Sequence, residues 1–306
     1  MWDSPSASRA GRSTPHFLEP FPGSGIHKGV HRHRYIFALA LLTLPPAIAH
    51  AQTPQQIIQQ VTDTERAENK TDHSQWIYLD HSVKPKEQLV RWVATTAHGD
   101  VGRVLVKDGR ELSEPEQQNL IQKYLDDPHA QNKQIAENAH DLQQVDDFLK
   151  LLPTGFLWTI THAGATDTTL HFVPDPKFHP PTREARVICA MTGDLVADNQ
   201  QHRIRSMSGH LIHDVTFGGG LLGRLKEGSS FSLDQQQVGP SVWQLTAIRV
   251  HLQGNALLFH SVSLQQDDER SRFTPAQSSS LTLDQAATAV MLQPGNAQPE
   301  RTAEAK

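Results

Sequence analysis

The sequence predicts an α+β protein in which about eleven antiparallel strands are interrupted by one helical insert at 113–152. Two observations favour this fold class. Apolar residues alternate with period two along most of the chain, whereas inside the insert they recur every three or four residues. Short turns join the strand-like runs, and short connections force antiparallel neighbours because parallel pairing needs a long crossover.

The N-terminal segment 1–51 is predicted to be a prefix followed by a cleaved signal peptide. It contains a basic stretch (31–34), an apolar run (36–44) and Ala49-His50-Ala51, which are the three parts of a secretory signal. The apolar run is too short to span a bilayer, and two prolines interrupt it. We therefore expect cleavage near Ala51-Gln52, export to the periplasm or beyond the cell, and no integral membrane segment in the mature chain.

The composition of the chain excludes some partners. The net charge is −5, and residues 52–306 are more acidic still, with 23 basic and 31 acidic side chains. An acidic chain repels phosphate backbones, so we expect no nucleic-acid partner. Cys189 is the only cysteine, which excludes an internal disulfide, and we interpret it as a small apolar residue in a strand.

The first elements follow from local signals. Thr53-Pro54-Gln55-Gln56 is a capping box with a first-turn proline and predicts a helix over 54–68. Period-two alternation then predicts strands over 75–83, 88–96 and 101–109, linked by hairpin turns.

The insert is predicted to hold two helices, one opened by a capping box at Ser113 and a longer one that starts after Pro128 and ends near Pro153. The longer helix carries an apolar stripe that we expect to pack on the sheet: Ile135, Ala139, Leu142, Val145, Phe148, Leu149 and Leu152.

The rest of the chain is predicted to be mostly strand. We expect strands at 156–163, 167–173, 184–191, 194–199, 202–217, 229–237, 241–252 and 256–265, with turns at 192–194 and 253–255 among those that separate them. A weak helix is predicted near 283–292 and a disordered tail at 293–306. Residues 52–292 are therefore interpreted as a single domain.

A glycine-rich stretch, Gly218-x-Gly220-x-x-Gly223, has the spacing of a dinucleotide-binding turn. Such a turn needs a parallel strand before it and a helix after it. Here the neighbouring runs are antiparallel, and Gly228 leaves room for only one helical turn. We therefore interpret the glycines as a corner of the sheet and expect no nucleotide cofactor.

No catalytic or metal site emerges from the sequence. The thirteen histidines after residue 51 form no recognised ligand motif, and His210 and His213 should point to opposite faces of a strand. The stretch 205–210 lacks the glycine that a nucleophile elbow needs before its serine. We therefore predict no cofactor, no metal and no enzymatic activity.

Aromatic residues concentrate in the predicted strands, including Trp76, Trp92, Trp158, Trp243 and Phe172. They fill a solid core in one interpretation. In the other, a strongly curved sheet leaves a cavity on its concave side for an acyl chain or another apolar ligand.

The order of elements, together with the stretch MTGDLVADNQQHRIRSMSG (191–209), resembles the periplasmic lipoprotein-carrier superfamily (LolA/LolB-like). The resemblance spans residues 54–265. It implies a strongly curved, incompletely closed antiparallel β-barrel with helices covering the concave face and an apolar cavity for lipid.

These observations together predict a soluble exported binding protein that holds a lipid or acylated ligand, with a role in lipid or lipoprotein transport in the cell envelope. The predicted ligand-binding residues are Trp76, Trp92, Trp158, Phe172, Phe217, Leu221, Leu222 and Trp243. Two alternatives stay open, namely an envelope structural or interaction module with a solid core, and a periplasmic hydrolase. The sequence leaves the oligomeric state open.

Overall fold

The computed structural model describes residues 52–217, 223–256, 260–276 and 280–295. The helices in these ranges are α1 (Pro54–Thr71), α2 (Glu114–Leu125), α3 (Pro128–Gly155), α4 (Arg183–Ile188) and α5 (Leu283–Met291). The strands are β1 (Trp76–Lys84), β2 (Glu87–Ala94), β3 (Val101–Lys107), β4 (Arg110–Glu111), β5 (Phe156–Ala163), β6 (Asp167–Pro174), β7 (Met191–Asp198), β8 (Ile204–Leu211), β9 (Val215–Phe217), β10 (Gly223–Leu225), β11 (Ser230–Gly239), β12 (Val242–Ala256) and β13 (His260–Pro275). The predicted leader and residues 221–222 lie outside the described residues.

All thirteen strands belong to one antiparallel sheet in the order β4-β3-β2-β1-β13-β12-β11-β8-β7-β6-β5, with the short hairpin β9–β10 attached to β12. The sheet is curved and does not close, because β4 and β5 form its two edges in the described part of the chain. The predicted α+β class with an open antiparallel sheet is therefore confirmed. The described residues hold thirteen strands and not the predicted eleven. The predicted strand 202–217 is divided into β8 and β9, the short strands β4 and β10 are additional, and the predicted strand 184–191 is a helix.

The prediction of a strand over 184–191 is wrong, since this segment forms α4. Thr182 caps the helix by accepting a hydrogen bond from the Ala185 backbone N–H at 3.1 Å, and Glu184 lies in the first turn. Cys189 therefore lies at the C-cap of a helix and not in a strand. The predicted turn at 192–194 is instead part of β7.

The predicted turn at 253–255 is also wrong, because β12 continues through it. Gly254 pairs with Leu225 on one side and Val262 on the other, and a Cβ atom at Gly254 would lie 2.3 Å from the Arg224 carbonyl oxygen. Glycine marks a close approach of two backbones here, not a reversal of the chain. The polar segment after residue 265 likewise continues as β13 to Pro275.

Two hydrophobic clusters lie on opposite faces of the sheet. The inner cluster, which includes Phe172, Leu195 and Met207, is covered by α1 and the C-terminal part of α3. The outer cluster, which includes Leu79 and Trp92, is covered by α2 and α5. Helices thus cover both faces, and not only the concave one as the resemblance implied. We call the face that holds the inner cluster the inner face.

The apolar stripe of α3 does not pack on the sheet along its whole length. Leu149 and Leu152 are buried, but Ile135, Leu142 and Val145 are 40%, 57% and 43% exposed. The N-terminal half of the helix instead turns polar side chains toward the inner face of the sheet. None of the helices in the described ranges is long and apolar enough to cross a membrane.

Candidate functional site

A polar cavity of about 320 Å³ lies between the inner face of the sheet and the N-terminal half of α3. Its wall is formed by β1, β2, β13 and the start of β3 on one side and by α3 on the other. The sheet contributes Tyr78, Asp80, Ser82, Lys84, Arg91, Val93, Asp100, Gly102, Gln266, Asp268 and Arg270, and the helix contributes Gln134, Glu137, Asn138 and Asp141.

Strand register brings the charged residues of β1 and β13 together. Asp80 pairs with Arg270, and Ser82 pairs with Asp268. Side chains two residues apart on a strand share a face, so Asp268 and Arg270 point to the same side as Asp80. These charged residues lie on the same face of the sheet as the inner cluster. Directly paired residues point to the same face, and direct pairs lead across β12, β11, β8 and β7 from Asp268 to Leu195.

Asp80 is the electrostatic centre of the sheet wall. Its side chain is only 3% exposed, and its Oδ2 atom accepts a hydrogen bond from Arg91 Nε at 2.8 Å. Arg270 Nε lies 3.8 Å from the other oxygen, too far for a hydrogen bond. The guanidinium carbon of Arg270 instead lies 5.4 Å from the centre of the Tyr78 ring, within cation–π range.

Two buried polar atoms in this wall have no hydrogen-bond partner, namely Asp268 Oδ1 and Arg270 Nε. Asp268 is 7% exposed, and only its Oδ2 atom accepts a hydrogen bond, from Gln266 Nε2 at 2.5 Å. A buried polar atom without a partner costs about 1–3 kcal/mol, so such atoms are rare and call for an explanation. Here one acceptor and one donor lie two residues apart on the same strand.

Burial also changes the ionisation of groups around the cavity. It raises the pKa of Tyr78 to about 12, an effect that the nearby Arg270 partly opposes. Burial likewise raises the pKa of the Asp100 carboxyl above its usual value. In both groups the main cause is burial, which disfavours the charged form.

α3 is fixed above the cavity at its N-terminal end by the side chains of Gln131 and Gln134. Gln134 Oε1 accepts hydrogen bonds from the Asp100 backbone N–H at 2.8 Å and from the Tyr124 hydroxyl at 2.6 Å. At its other end, α3 packs against α1, where Arg66 Nε lies 2.7 Å from Asp146 Oδ1. The Gln134 hydrogen bonds connect the helix to the residue before β3 and to α2, and Gln131 Nε2 donates to the Tyr124 and Leu125 carbonyl oxygens of α2 at 2.9 Å.

A half-buried apolar row adjoins the polar wall on the same inner face. Register places Ile248 beside Asp268 and Val250 beside Gln266, and the next strand adds Leu233 and Phe231. All four apolar side chains are of intermediate exposure. Phe148 of α3 contacts Phe231 edge to face, with ring centres 6.3 Å apart. The inner face therefore changes from charged to apolar between β13 and β12.

The residues predicted to bind an apolar ligand lie in separate parts of the fold. Trp158 and Phe172 are buried in the inner cluster, and Phe217 packs against it. Trp76 belongs to a third, small cluster with Tyr78.

Two further tryptophans of the predicted set hydrogen-bond elsewhere. Trp92 lies in the outer cluster, and its Nε1 atom donates to the Pro294 carbonyl oxygen at 2.9 Å. Trp243 Nε1 donates to Gln201 Oε1, also at 2.9 Å. Leu221 and Leu222 lie outside the described residues, and ligand binding by the whole set stays a prediction.

Sequence reasoning missed the charged residues of the cavity. The signal that could have revealed them is the charge pattern of β13, where Asp267-Asp268-Glu269-Arg270 continues a strand. Alternation places Asp268 and Arg270 on the inner face, while Glu269 points outward and pairs with Arg249 at 2.6 Å. Charged side chains on the inner face of a sheet are unusual and indicate a site.

The described residues offer little metal or thiol chemistry. They hold no group of three or more His, Cys, Asp or Glu side chains arranged to bind a metal ion. His171 and His251 each lie within 3 Å of an aspartate oxygen, of Asp194 and Asp267 respectively. Burial raises the pKa of the Cys189 thiol to about 11, which disfavours the reactive thiolate.

Comparisons with known proteins assign no family. No protein-family model matches the chain, and no curated protein matches it. A solved structure of a domain from Vibrio parahaemolyticus, provisionally assigned as an outer membrane lipoprotein-sorting protein, aligns with 76% of this chain and 97% of that domain. The aligned residues are 9% identical and the TM-score is 0.29.

Proposed function

We propose that the protein is a binding protein for an amphiphilic small molecule, held without covalent chemistry beneath α3. The polar group of the ligand occupies the cavity at β1 and β13, and its apolar chain lies along the row formed by Phe231, Leu233, Ile248 and Val250. A role in carrying lipid or acylated molecules in the cell envelope would follow from such binding together with the predicted export.

One observation carries this proposal, namely the change from charged to apolar side chains across neighbouring strands of the inner face. Asp268 and Ile248 are direct neighbours in the β12–β13 pair, yet one lines a polar cavity and the other belongs to an apolar row. A ligand with a polar head and an apolar chain matches both parts. The half-buried state of the apolar row leaves surface that a chain would cover.

A second candidate, a structural module with a solid core, is favoured by the inner cluster itself. Phe172, Leu195 and Met207 are at most 2% exposed, which means that this part of the sheet is filled by its own side chains. The two candidates differ in whether the protein takes up a ligand.

The test is a calorimetric titration of the purified mature protein with dodecylamine, dodecanoate and dodecanol below their micelle concentrations. We expect at least one of them to bind and Val250→Asp to weaken that binding about tenfold, because the chain would lie against a new charge. The control is Gln253→Asp, which adds the same charge to an exposed position of β12. If the folded protein binds none of the three compounds, the proposal is wrong and the solid-core module stands.

A further inference from the structure

We infer that the polar end of this site selects a head group that carries a positively charged ammonium and, close to it, an oxygen acceptor. This inference rests on the proposed function and adds the charge of the ligand. It is drawn from the charges of the cavity wall and from its two unpartnered atoms.

Acidic side chains outnumber basic ones around the cavity. Five carboxylates line it, and three basic groups oppose them: Asp80, Asp100, Glu137, Asp141 and Asp268 against Lys84, Arg91 and Arg270. A cavity with an excess of negative charge attracts a cation and repels a carboxylate, and the effect is stronger where solvent is excluded.

In the sheet wall, the arginines lie against Asp80, and Asp268 is a buried carboxylate with one oxygen unpaired. Arg91 and Arg270 both lie against Asp80, at 2.8 Å and 3.8 Å. The Oδ1 atom of Asp268 is buried and accepts no hydrogen bond. An ammonium group, which only donates, satisfies this acceptor, whereas a carboxylate or phosphate oxygen would meet another acceptor there.

The helix supplies acceptors on the opposite side. Glu137 and Asp141 lie one turn apart on α3 and both line the cavity. Glu137 also lies 3.7 Å from Lys133 Nζ in an exposed pair, so Asp141 is the stronger acceptor of the two. An ammonium has three N–H donors, so one of them would reach Asp268 and the others would point toward the helix carboxylates. Both helix residues are exposed at the surface, which gives a charged ligand an approach to the cavity.

The second unpartnered atom, Arg270 Nε, indicates which group of the ligand lies next to the ammonium. Arg270 Nε is a buried donor that lies two residues from Asp268 on the same face of β13. An oxygen a few bonds from the ammonium, such as a hydroxyl or an ester oxygen, would accept this hydrogen bond. The head group is therefore an amino alcohol or a derivative of one, attached to an apolar chain.

The experiment compares the three dodecyl compounds in the same titration and at several salt concentrations. We expect dodecylamine to bind at least tenfold more tightly than dodecanoate, with dodecanol between them, and the difference to shrink as salt screens the charges. If dodecanoate binds as tightly as dodecylamine or more tightly, the inference is wrong while the proposed function stands. If none of them binds, the proposed function itself has failed.

Three variants test whether the preference for dodecylamine depends on the carboxylates of this cavity. Asp268→Asn and Asp141→Asn should each weaken dodecylamine binding severalfold and leave dodecanol binding within about twofold. Asp141 is exposed on α3, so its variant tests the inference even if Asp268→Asn fails to fold. Glu269→Gln, next to Asp268 but on the other face of β13, should change neither affinity. Amine selectivity that survives both aspartate substitutions would overturn the assignment to this cavity.

Discussion

At the scale of single residues, a buried ion pair connects the first helix to the sheet. Arg203 donates to both oxygens of Glu65 at 3.0 Å, and the Ile204 backbone N–H donates to Glu65 Oε1 at 2.8 Å. The side chains of Glu65 and Arg203 are 4% and 7% exposed. Replacing Glu65 with alanine would leave the Arg203 charge buried without its partner, so we expect the free energy of unfolding to fall by about 3–5 kcal/mol.

Urea denaturation of the variant and the unchanged protein measures this loss. The matched control is Glu68→Ala, since Glu68 lies one turn further along α1, is 43% exposed and reaches Arg203 only at 3.9 Å. A pair at this distance with one solvent-exposed partner is expected to contribute less than about 1 kcal/mol. If both variants lost the same free energy of unfolding, the buried pair would not stabilise the protein more than the Glu68 contact does.

The same residues show what sequence reasoning could and could not reach. Arg203 immediately precedes β8 and lies within the predicted strand 202–217, and Glu65 lies within the predicted first helix. Their contact joins residues 138 positions apart, and no local pattern in a single sequence encodes such a distance. The charged residues of the cavity were missed for the same reason, since Asp80 and Arg270 meet only through the pairing of β1 with β13.

At the scale of elements, α3 depends on different contacts at its two ends. Leu149 and Leu152 bury the C-terminal part. Gln134 holds the N-terminal part through hydrogen bonds to Asp100 and Tyr124, and Gln131 adds two to the end of α2. We expect Gln134→Ala to lower the amide-exchange protection of residues 128–140, because this half has no buried residue and keeps only the Gln131 hydrogen bonds to α2. Residues 146–155 should keep their protection.

Hydrogen–deuterium exchange followed by mass spectrometry measures both segments in one experiment. Gln143→Ala, an exposed substitution in the middle of the same helix, is the control and should leave both segments unchanged. Uniform loss of protection over the whole helix would show that α3 opens as one unit and not from its N-terminal end.

The start of α1 and the limits of α3 could be predicted from local sequence signals, whereas the buried face of α3 depends on tertiary contacts. The capping box at Thr53 predicted the start of α1, and both of its hydrogen bonds are present. The limits of α3 were predicted to within a few residues, but the buried face of its N-terminal half was not. The stripe containing Ile135 and Leu142 has helical periodicity, yet α3 spans a polar cavity there and leaves these residues exposed. Periodicity reports which residues share a face, and tertiary packing decides what that face meets.

At the scale of the whole molecule, the open sheet carries hydrophobic clusters on both faces, and the polar cavity lies where the inner face has no apolar cover. β1 belongs to both systems, because Leu79 faces the outer cluster and Tyr78 and Asp80 face the cavity. The stability of the sheet and the ionisation of the cavity wall are therefore expected to be linked.

Tyr78 makes this link measurable at alkaline pH. Its pKa is raised from 10.0 to about 12, chiefly by burial. Between these values the unfolded chain has lost the phenolic proton while the folded protein retains it, so rising pH favours unfolding. The stabilising contribution of the neutral form is fully present below pH 10 and is lost as the pH rises toward 12, in total about 2–3 kcal/mol.

The measurement is the free energy of unfolding between pH 8 and pH 12 for the unchanged protein and for Tyr78→Phe. Phenylalanine preserves the stacking on Phe273, whose ring centre lies 5.3 Å away, and removes the titrating group. We expect the unchanged protein to lose more stability than the variant across this window, by about 2–3 kcal/mol. Lysines and the other tyrosines titrate in both proteins and cancel in the difference. Parallel curves would mean that Tyr78 ionises as an exposed tyrosine does, and the cavity wall would then be accessible to water.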